Sequence, residues 1–154
     1  MSDTMYDSVE WQLIPRAAGY VAVYVNGMFA ADTAEVSATF PKARIFLIDV
    51  NGSDPGASIK DVETGDIRPE TVHEAINARF DAHPDALCRV YVNLSNWSTT
   101  RANVNANVVP EKQQQVRWWV ANPTGQPHFV PGSNGTQYKF GTQWDESLIG
   151  RAFE

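Results

Sequence analysis

The sequence predicts an α/β fold: a trimmed, irregular (β/α) barrel of the TIM type, with seven to eight strands and three to four helices. Three observations predict it. Short runs rich in Val, Ile, Tyr and Phe recur along the whole chain, the composition that a pleated, packed surface favours. Helical patterns lie between several of these runs, and strands that alternate with helices build parallel β/α units. The chain has 154 residues, well short of the roughly 250 of a full (β/α)8 barrel, so several helices must be missing. An open α/β sheet is the alternative arrangement of the same parts. One domain spanning residues 1–154 is expected, because 43% hydrophobic and 11% aromatic content fills one core.

In chain order, strands are expected at Thr4–Asp7, Gly19–Val25, Arg44–Val50, Ala57–Glu63, Leu87–Asn93, Val116–Ala121 and Thr136–Phe140, with His128–Val130 as a short eighth. The clearest helix is Pro69–His83, where Val72, Ala75, Ile76 and Phe80 fall on one face and Pro69 suits the first helical position. Ala31–Phe40 and Thr99–Val108 are the other two helical patterns. Beyond Val116 the signals change to turns, Asn122-Pro123-Thr124-Gly125, Pro131-Gly132 and Asn134-Gly135, so short loops should join the last strands. Gly27 after Asn26 reads as turn chemistry, and Asp49 before Val50-Asn51-Gly52 reads as the residue that starts a turn.

Charge and composition narrow the classes of function. The net charge is −6, with 12 Lys and Arg against 18 Asp and Glu, and the basic residues are scattered. A binder of nucleic acid or of an anionic membrane needs a basic surface, so neither is an expected partner. Cys88, the only cysteine, lies in an apolar run and reads as a buried thiol. The start of the chain, MSDTMYDSVEWQ, lacks the basic end and apolar stretch of a secretory signal, and no apolar run approaches a membrane span. A protein made in the cytoplasm without a signal peptide is expected. His73, His83 and His128 have no metal-ligand spacing, and no phosphate-cradling loop or Gly-x-Ser-x-Gly turn occurs, so no metal or cofactor is expected.

The stretch SIKDVETGDIRPE carries the chemistry. Side chains at i and i+2 of a strand share a face, so Asp61 and Glu63 point the same way as Ala57 and Ile59, while Lys60 and Val62 take the other face. Two acids thus crowd the C-terminal end of a strand, where barrel active sites sit. Like charges drawn partly out of water raise at least one pKa, which leaves one acid able to donate a proton. Such a pair suits glycoside hydrolysis; a solvated loop start or a helix cap is the plainer reading of the same residues.

Further residues align in order along the chain: Asp7 in Tyr6-Asp7-Ser8, Asp61-Val62-Glu63, Tyr91, Trp119-Val120-Ala121, Gln137-Tyr138, and Asp145 after Trp144. This ordered set resembles glycoside hydrolase family 25, the lysozyme-type muramidases, and the related glycoside-hydrolase-like domains of actinobacteria and their phages. The resemblance spans nearly the whole chain, although Ser8 directly follows Asp7 where the family spaces the two by one residue. It implies that Glu63 is the general acid/base and that Asp61 stabilises the positive charge developing on the sugar or its acetamido group. Asp7 and Asp145 would hold the reacting sugar, and Tyr91, Trp119, Gln137 and Tyr138 would supply the floor and walls. The implied reaction is retaining hydrolysis of the β-1,4 bond after N-acetylmuramic acid in peptidoglycan, without metal or cofactor.

A rival expectation comes from a different class. The short chain, the altered first strand and the lack of a recognisable wall-binding module also suit a non-catalytic glycan-binding or structural protein that keeps the barrel. In either case the resemblance implies a bacterial glycan as partner. Attachment to the envelope would then come from other virion proteins or a larger assembly, or the protein would be released at lysis. Trp118 and Trp119 alternate faces, so only one can look into the barrel; Trp97 either edges the cleft or packs at a helix start.

Overall fold

The computed structural model describes residues 1–154. Eight strands close into a barrel in chain order: β1 Ser2–Asp7, β2 Tyr20–Tyr24, β3 Arg44–Asp49, β4 Ile59–Val62, β5 Cys88–Asn93, β6 Val116–Ala121, β7 Gly135–Lys139 and β8 Asp145–Gly150. Four helices accompany them: α1 Thr33–Thr39, α2 Val72–Ala82, α3 Leu94–Asn107 and α4 Pro110–Gln113. Short 3-10 turns occupy Trp11–Leu13 and Arg151–Phe153. The trimmed α/β barrel is therefore present, and the open sheet is not. No helix is long and apolar enough to cross a membrane.

Two expectations about the strands are corrected. The eighth strand is Asp145–Gly150, not His128–Val130, and it runs antiparallel to both β7 and β1 while all other neighbours are parallel. Connection length explains both. A parallel return needs about a dozen residues or more, which the irregular Asn122–Asn134 segment supplies between β6 and β7. The residues His128–Val130 are spent in that crossover. Only Phe140–Trp144 separates β7 from β8, a link that can do nothing but reverse the chain.

The helices also differ at their starts. α2 begins at Val72, so Pro69 lies in the turn before it. α3 begins at Leu94, five residues before the expected Thr99, because Asn93 caps it by accepting from the Asn96 amide at 2.9 Å. Trp97 therefore lies inside this helix, packed against Trp118 with ring centroids 6.4 Å apart.

Alternation along the strands sorts side chains into an interior and two outer layers. Met5, Ala22, Phe46, Ile48, Ile59, Tyr91, Trp119 and Ile149 fill the interior. Outside, α2 and α3 bury Val72, Ile76, Phe80 and Val104 against Val62, Val90, Val92 and Val120. On the other flank, Val36 and Phe40 of α1 pack with Trp11, Val21 and Val23.

The end of the barrel where the parallel strands begin is closed by the C-terminal turn. Phe153 is fully buried there, edge-on to Phe46 at 5.4 Å and to Trp119 at 6.3 Å. The buried Arg89 stacks over Phe46 at 4.6 Å and donates from Nε to the Phe153 carbonyl at 2.6 Å. Burial lowers its pKa to about 10, and the neighbouring Arg44 pushes the same way. Apolar rings and arginines thus seal this end of the barrel interior, which opens only at the opposite end.

Candidate active site

The open end of the barrel gathers the acids. A cavity of about 200 Å³ is lined by Asp7 from β1, Tyr24 from β2, Ile48 from β3, Asp61 from β4, Tyr91 from β5, Trp119 from β6 and Gln137 from β7. Glu63, one residue past β4, and Asp145, the first residue of β8, complete the rim with Phe140. Asp145 belongs there because its strand is reversed: in the antiparallel register it sits directly opposite Asp7. No Lys, Arg or His lines the cavity. None of these acids takes part in an ion pair.

Gln137 ties the acids to the floor. Its Nε2 donates to Asp7 Oδ2 at 2.9 Å and Oδ1 at 3.1 Å, with a longer contact to Asp145 Oδ2 at 3.4 Å. Its Oε1 accepts from the Tyr91 hydroxyl at 2.7 Å, so the amide orientation follows from its partners. The Tyr91 ring lies edge-on to Trp119 at 4.6 Å, and Trp119 Nε1 donates to Ser147 Oγ at 2.9 Å. Asp145 Oδ1 accepts from the Gly141 amide at 2.9 Å. One polar chain thus runs from β5 through β7 to β1 and β8.

Asp61 is different. It is 3% exposed, and its Oδ1 is buried without a hydrogen-bond partner. A buried carboxylate oxygen left unpaired is costly unless a proton or a ligand satisfies it. Glu63 stands above it at the cavity mouth, exposed to solvent. Asp66, on the loop after β4, brings a third carboxylate to this side.

Every acid at this end is pushed towards its protonated form. Burial raises Asp7 to about 8, the nearby Asp145 charge adding to it and the Gln137 hydrogen bond opposing it. Burial holds Asp61 well above the usual carboxylate range, with Glu63, Asp66 and Asp7 all adding repulsion. Glu63 is raised by desolvation, offset by the Tyr91 hydroxyl, with Asp66 and Asp145 contributing further. Burial raises Asp145 against the Gly141 amide, and raises Asp66 as well. The Tyr24 and Tyr91 phenols stay protonated, because burial and the surrounding acids push their pKa values up.

No family model, curated protein or solved structure matches the chain.

Of the eight site residues predicted from sequence, seven line this cavity: Asp7, Asp61, Glu63, Tyr91, Trp119, Gln137 and Asp145. Tyr138 does not, which corrects its expected place on the cleft wall. It follows Gln137 in one strand, so its side chain must take the opposite face. There it is buried and donates its hydroxyl to Glu146 at 2.9 Å. Tyr24, Ile48 and Phe140 also line the cavity, and sequence reasoning did not single them out. Tyr24 had a signal: it ends an apolar strand, β2, at the rim.

Outside the barrel, Asp49 begins its turn as expected, accepting from the Asn51 and Gly52 amides at 3.2 and 2.8 Å. It also forms a fully buried ion pair with Lys60 at 2.8 Å, the strand neighbour that turns away from Asp61. Two of the three histidines are locally engaged: His73 contacts Asn103, and His128 contacts Asn122 and Thr124. The grouping whose oxygens are close enough to share a cation is Asp61, Glu63 and Asp66, all within 4.8 Å of one another. The same oxygens are those that could share protons.

Proposed function

We propose that this chain is a retaining glycosidase of the N-acetylmuramidase type, hydrolysing β-1,4 bonds of bacterial cell-wall peptidoglycan with Glu63 as general acid/base. The observation that carries the reading is the convergence of Asp7, Asp61, Glu63 and Asp145 on one aromatic-walled cavity with no basic residue to neutralise them. Acids assembled in this way suit a reaction that needs a proton and then a counter-charge.

On this reading the groups take the following parts. Protonated Glu63 gives its proton to the glycosidic oxygen as the bond from that oxygen to C1 breaks. The acetamido carbonyl oxygen of the same sugar closes on C1, and ionised Asp61 faces the resulting positive charge, its unpartnered oxygen accepting the acetamido N–H. Water then adds to C1 from the face the leaving group vacated, returning its proton to Glu63, and the acetamido group reopens. Asp7, held by Gln137, and Asp145 fix sugar hydroxyls, while Tyr91 and Trp119 shape the floor.

The deciding experiment is Glu63→Gln assayed by turbidity loss and reducing-end release on purified peptidoglycan. Wild-type protein should clear the suspension, and the variant should fall by two orders of magnitude or more, at about the size of a general acid's contribution. An undiminished rate would remove Glu63 from the role.

Two observations favour the non-catalytic alternative, a glycan-binding or virion-associated structural protein. Gln137 already satisfies Asp7, and the cavity of about 200 Å³ is small for a reacting sugar with its neighbour. Glycan affinity without reducing-end release would support this reading.

A further inference from the structure

The loop after β4 folds three carboxylates into one cluster. Asp61 in β4 and Glu63 just past it both line the acid cavity, and the chain then reverses over Thr64 and Gly65, the Asp66 amide donating to the Glu63 carbonyl at 3.1 Å. Gly65 allows the reversal at φ +92°, and the Ile67 amide returns to the Asp61 carbonyl at 3.2 Å. Asp66 is thereby carried back beside the strand it left. One oxygen from each of Asp61, Glu63 and Asp66 lies within 4.8 Å of the other two.

What sets this cluster apart from a solvated acidic loop is Asp61. It is buried, and its Oδ1 has no hydrogen-bond donor, although Tyr91 stands opposite it in the parallel register and donates instead to Gln137. The groups that the loop brings beside it are carboxylates, which add repulsion and no donor. No lysine, arginine or histidine forms an ion pair with any of the three, the exposed Arg68 included. A bound cation satisfies the orphaned oxygen and removes the mutual repulsion together.

We propose that Asp61, Glu63 and Asp66 form a calcium-binding site at the mouth of the barrel. The donor set is all oxygen, which suits a hard cation and not zinc or copper. Size then selects within that class. Calcium bonds oxygen at about 2.3–2.6 Å, so ligands on opposite sides of it stand up to about 5.2 Å apart, whereas magnesium at about 2.0–2.1 Å spans only about 4.2 Å. Oxygens spread over as much as 4.8 Å suit calcium without drawing the loop inward. Calcium takes about six to eight oxygens, and because Glu63 is exposed, water reaches the ion to complete the shell. Histidine spacing, the basis for expecting no metal, is blind to carboxylate ligands. The site needs no glycan and stands apart from the glycosidase reading. Where that reading holds, calcium competes with the proton on Glu63 and slows hydrolysis.

The test titrates calcium chloride into the full chain by calorimetry without glycan, and repeats it on Asp66→Asn and on Glu35→Gln, a change at an exposed acid of α1. Wild type should bind a single ion with a Kd of about 10⁻⁴ M or tighter, and Asp66→Asn should weaken it at least about tenfold. Glu35→Gln should bind as wild type does. Terbium, which takes the place of calcium, should emit when the aromatic rings are excited, because Tyr91 and Trp119 line the same cavity, and added calcium should abolish that emission. Melting curves check that the variants fold, and Glu63→Gln, at an exposed position, repeats the loss should Asp66→Asn unfold. No saturable heat below about 10 mM calcium overturns the site. So does an equal loss in Asp66→Asn and Glu35→Gln, which reduces the effect to the net charge of −6. Calcium binding in a protein that releases no reducing ends supports the site and rejects the hydrolase, and reducing-end release without calcium binding does the reverse.

Discussion

Asp7 and Asp145 face each other directly across the antiparallel β1–β8 pair and share the amide of Gln137. Like charges placed opposite one another in a sheet are destabilising, and one amide cannot neutralise two carboxylates. The pair is tolerable when one member keeps its proton, and Asp7, the more deeply buried, is the one raised to about 8.

A stability effect follows with a definite sign. The folded pKa of Asp7 is above its unfolded value near 3.8, so its contribution is fully present below pH 4 and lost as pH rises through about 8. Asp7→Asn, which cannot ionise, should therefore match wild type near pH 4 and exceed it in the mildly alkaline range. The gap should be on the order of a few kcal/mol by urea unfolding. Equal pH dependence in the two proteins would contradict the buried protonated state.

Asp61 and Glu63 should titrate as one unit rather than as two independent acids. Burial favours the shared proton on Asp61 in the free protein. On the proposed hydrolase reading, the acetamido N–H of bound substrate takes up the unpartnered Asp61 oxygen and the proton resides on Glu63. A bell-shaped rate profile is expected, with both limbs displaced upward from ordinary carboxylates because both groups are raised. Asp66→Asn, which removes a repelling charge from each, should move the profile to lower pH. A profile unmoved by that change would argue against the coupling.

The buried Asp49–Lys60 pair offers a test of the loop scaffold. Lys60→Ala leaves a carboxylate buried without its cation, and such a break costs about 3–5 kcal/mol. Asp49 itself has its pKa lowered, the Lys60 and Asn26 hydrogen bonds outweighing its burial. Wild type should therefore lose this contribution as pH falls through the depressed value, and the double variant Lys60→Met with Asp49→Leu should show a flatter acid limb in thermal unfolding.

Phe153 closes the far end of the barrel. Its replacement by Ala leaves a cavity between Phe46 and Trp119, at a cost of about 3–5 kcal/mol. On the proposed glycan-binding reading, affinity in the folded fraction should be preserved, since Trp119 keeps its bond to Ser147. Chemical denaturation together with binding at low temperature separates the two effects.

How far the sequence could be read depended on periodicity. Alternation along Ile59-Lys60-Asp61-Val62 correctly sends Asp61 inward and Lys60 outward, because a strand allows no other arrangement. The same rule should have excluded Tyr138 once Gln137 was placed inside. β8 was hidden for a different reason. Asp145-Glu146-Ser147-Leu148 has little intrinsic strand character, and what makes it a strand is the pair of open edges that β1 and β7 would otherwise expose. The Asn26–Asp49–Lys60 network was illegible because its members lie on three elements, and no local spacing announces such a contact.

The reversal of β8 has a consequence for how this molecule can vary. In a wholly parallel barrel, each rim residue arrives at the end of a strand and leads into a helical excursion. Here Asp145 arrives from the opposite direction, at the foot of the brief Phe140–Trp144 hairpin that itself contributes Phe140 to the mouth. A change in the length of that hairpin would reset one wall of the mouth and leave every helix where it is. The tip between Phe140 and Trp144 is thus the natural place for related chains to diverge in what they hold.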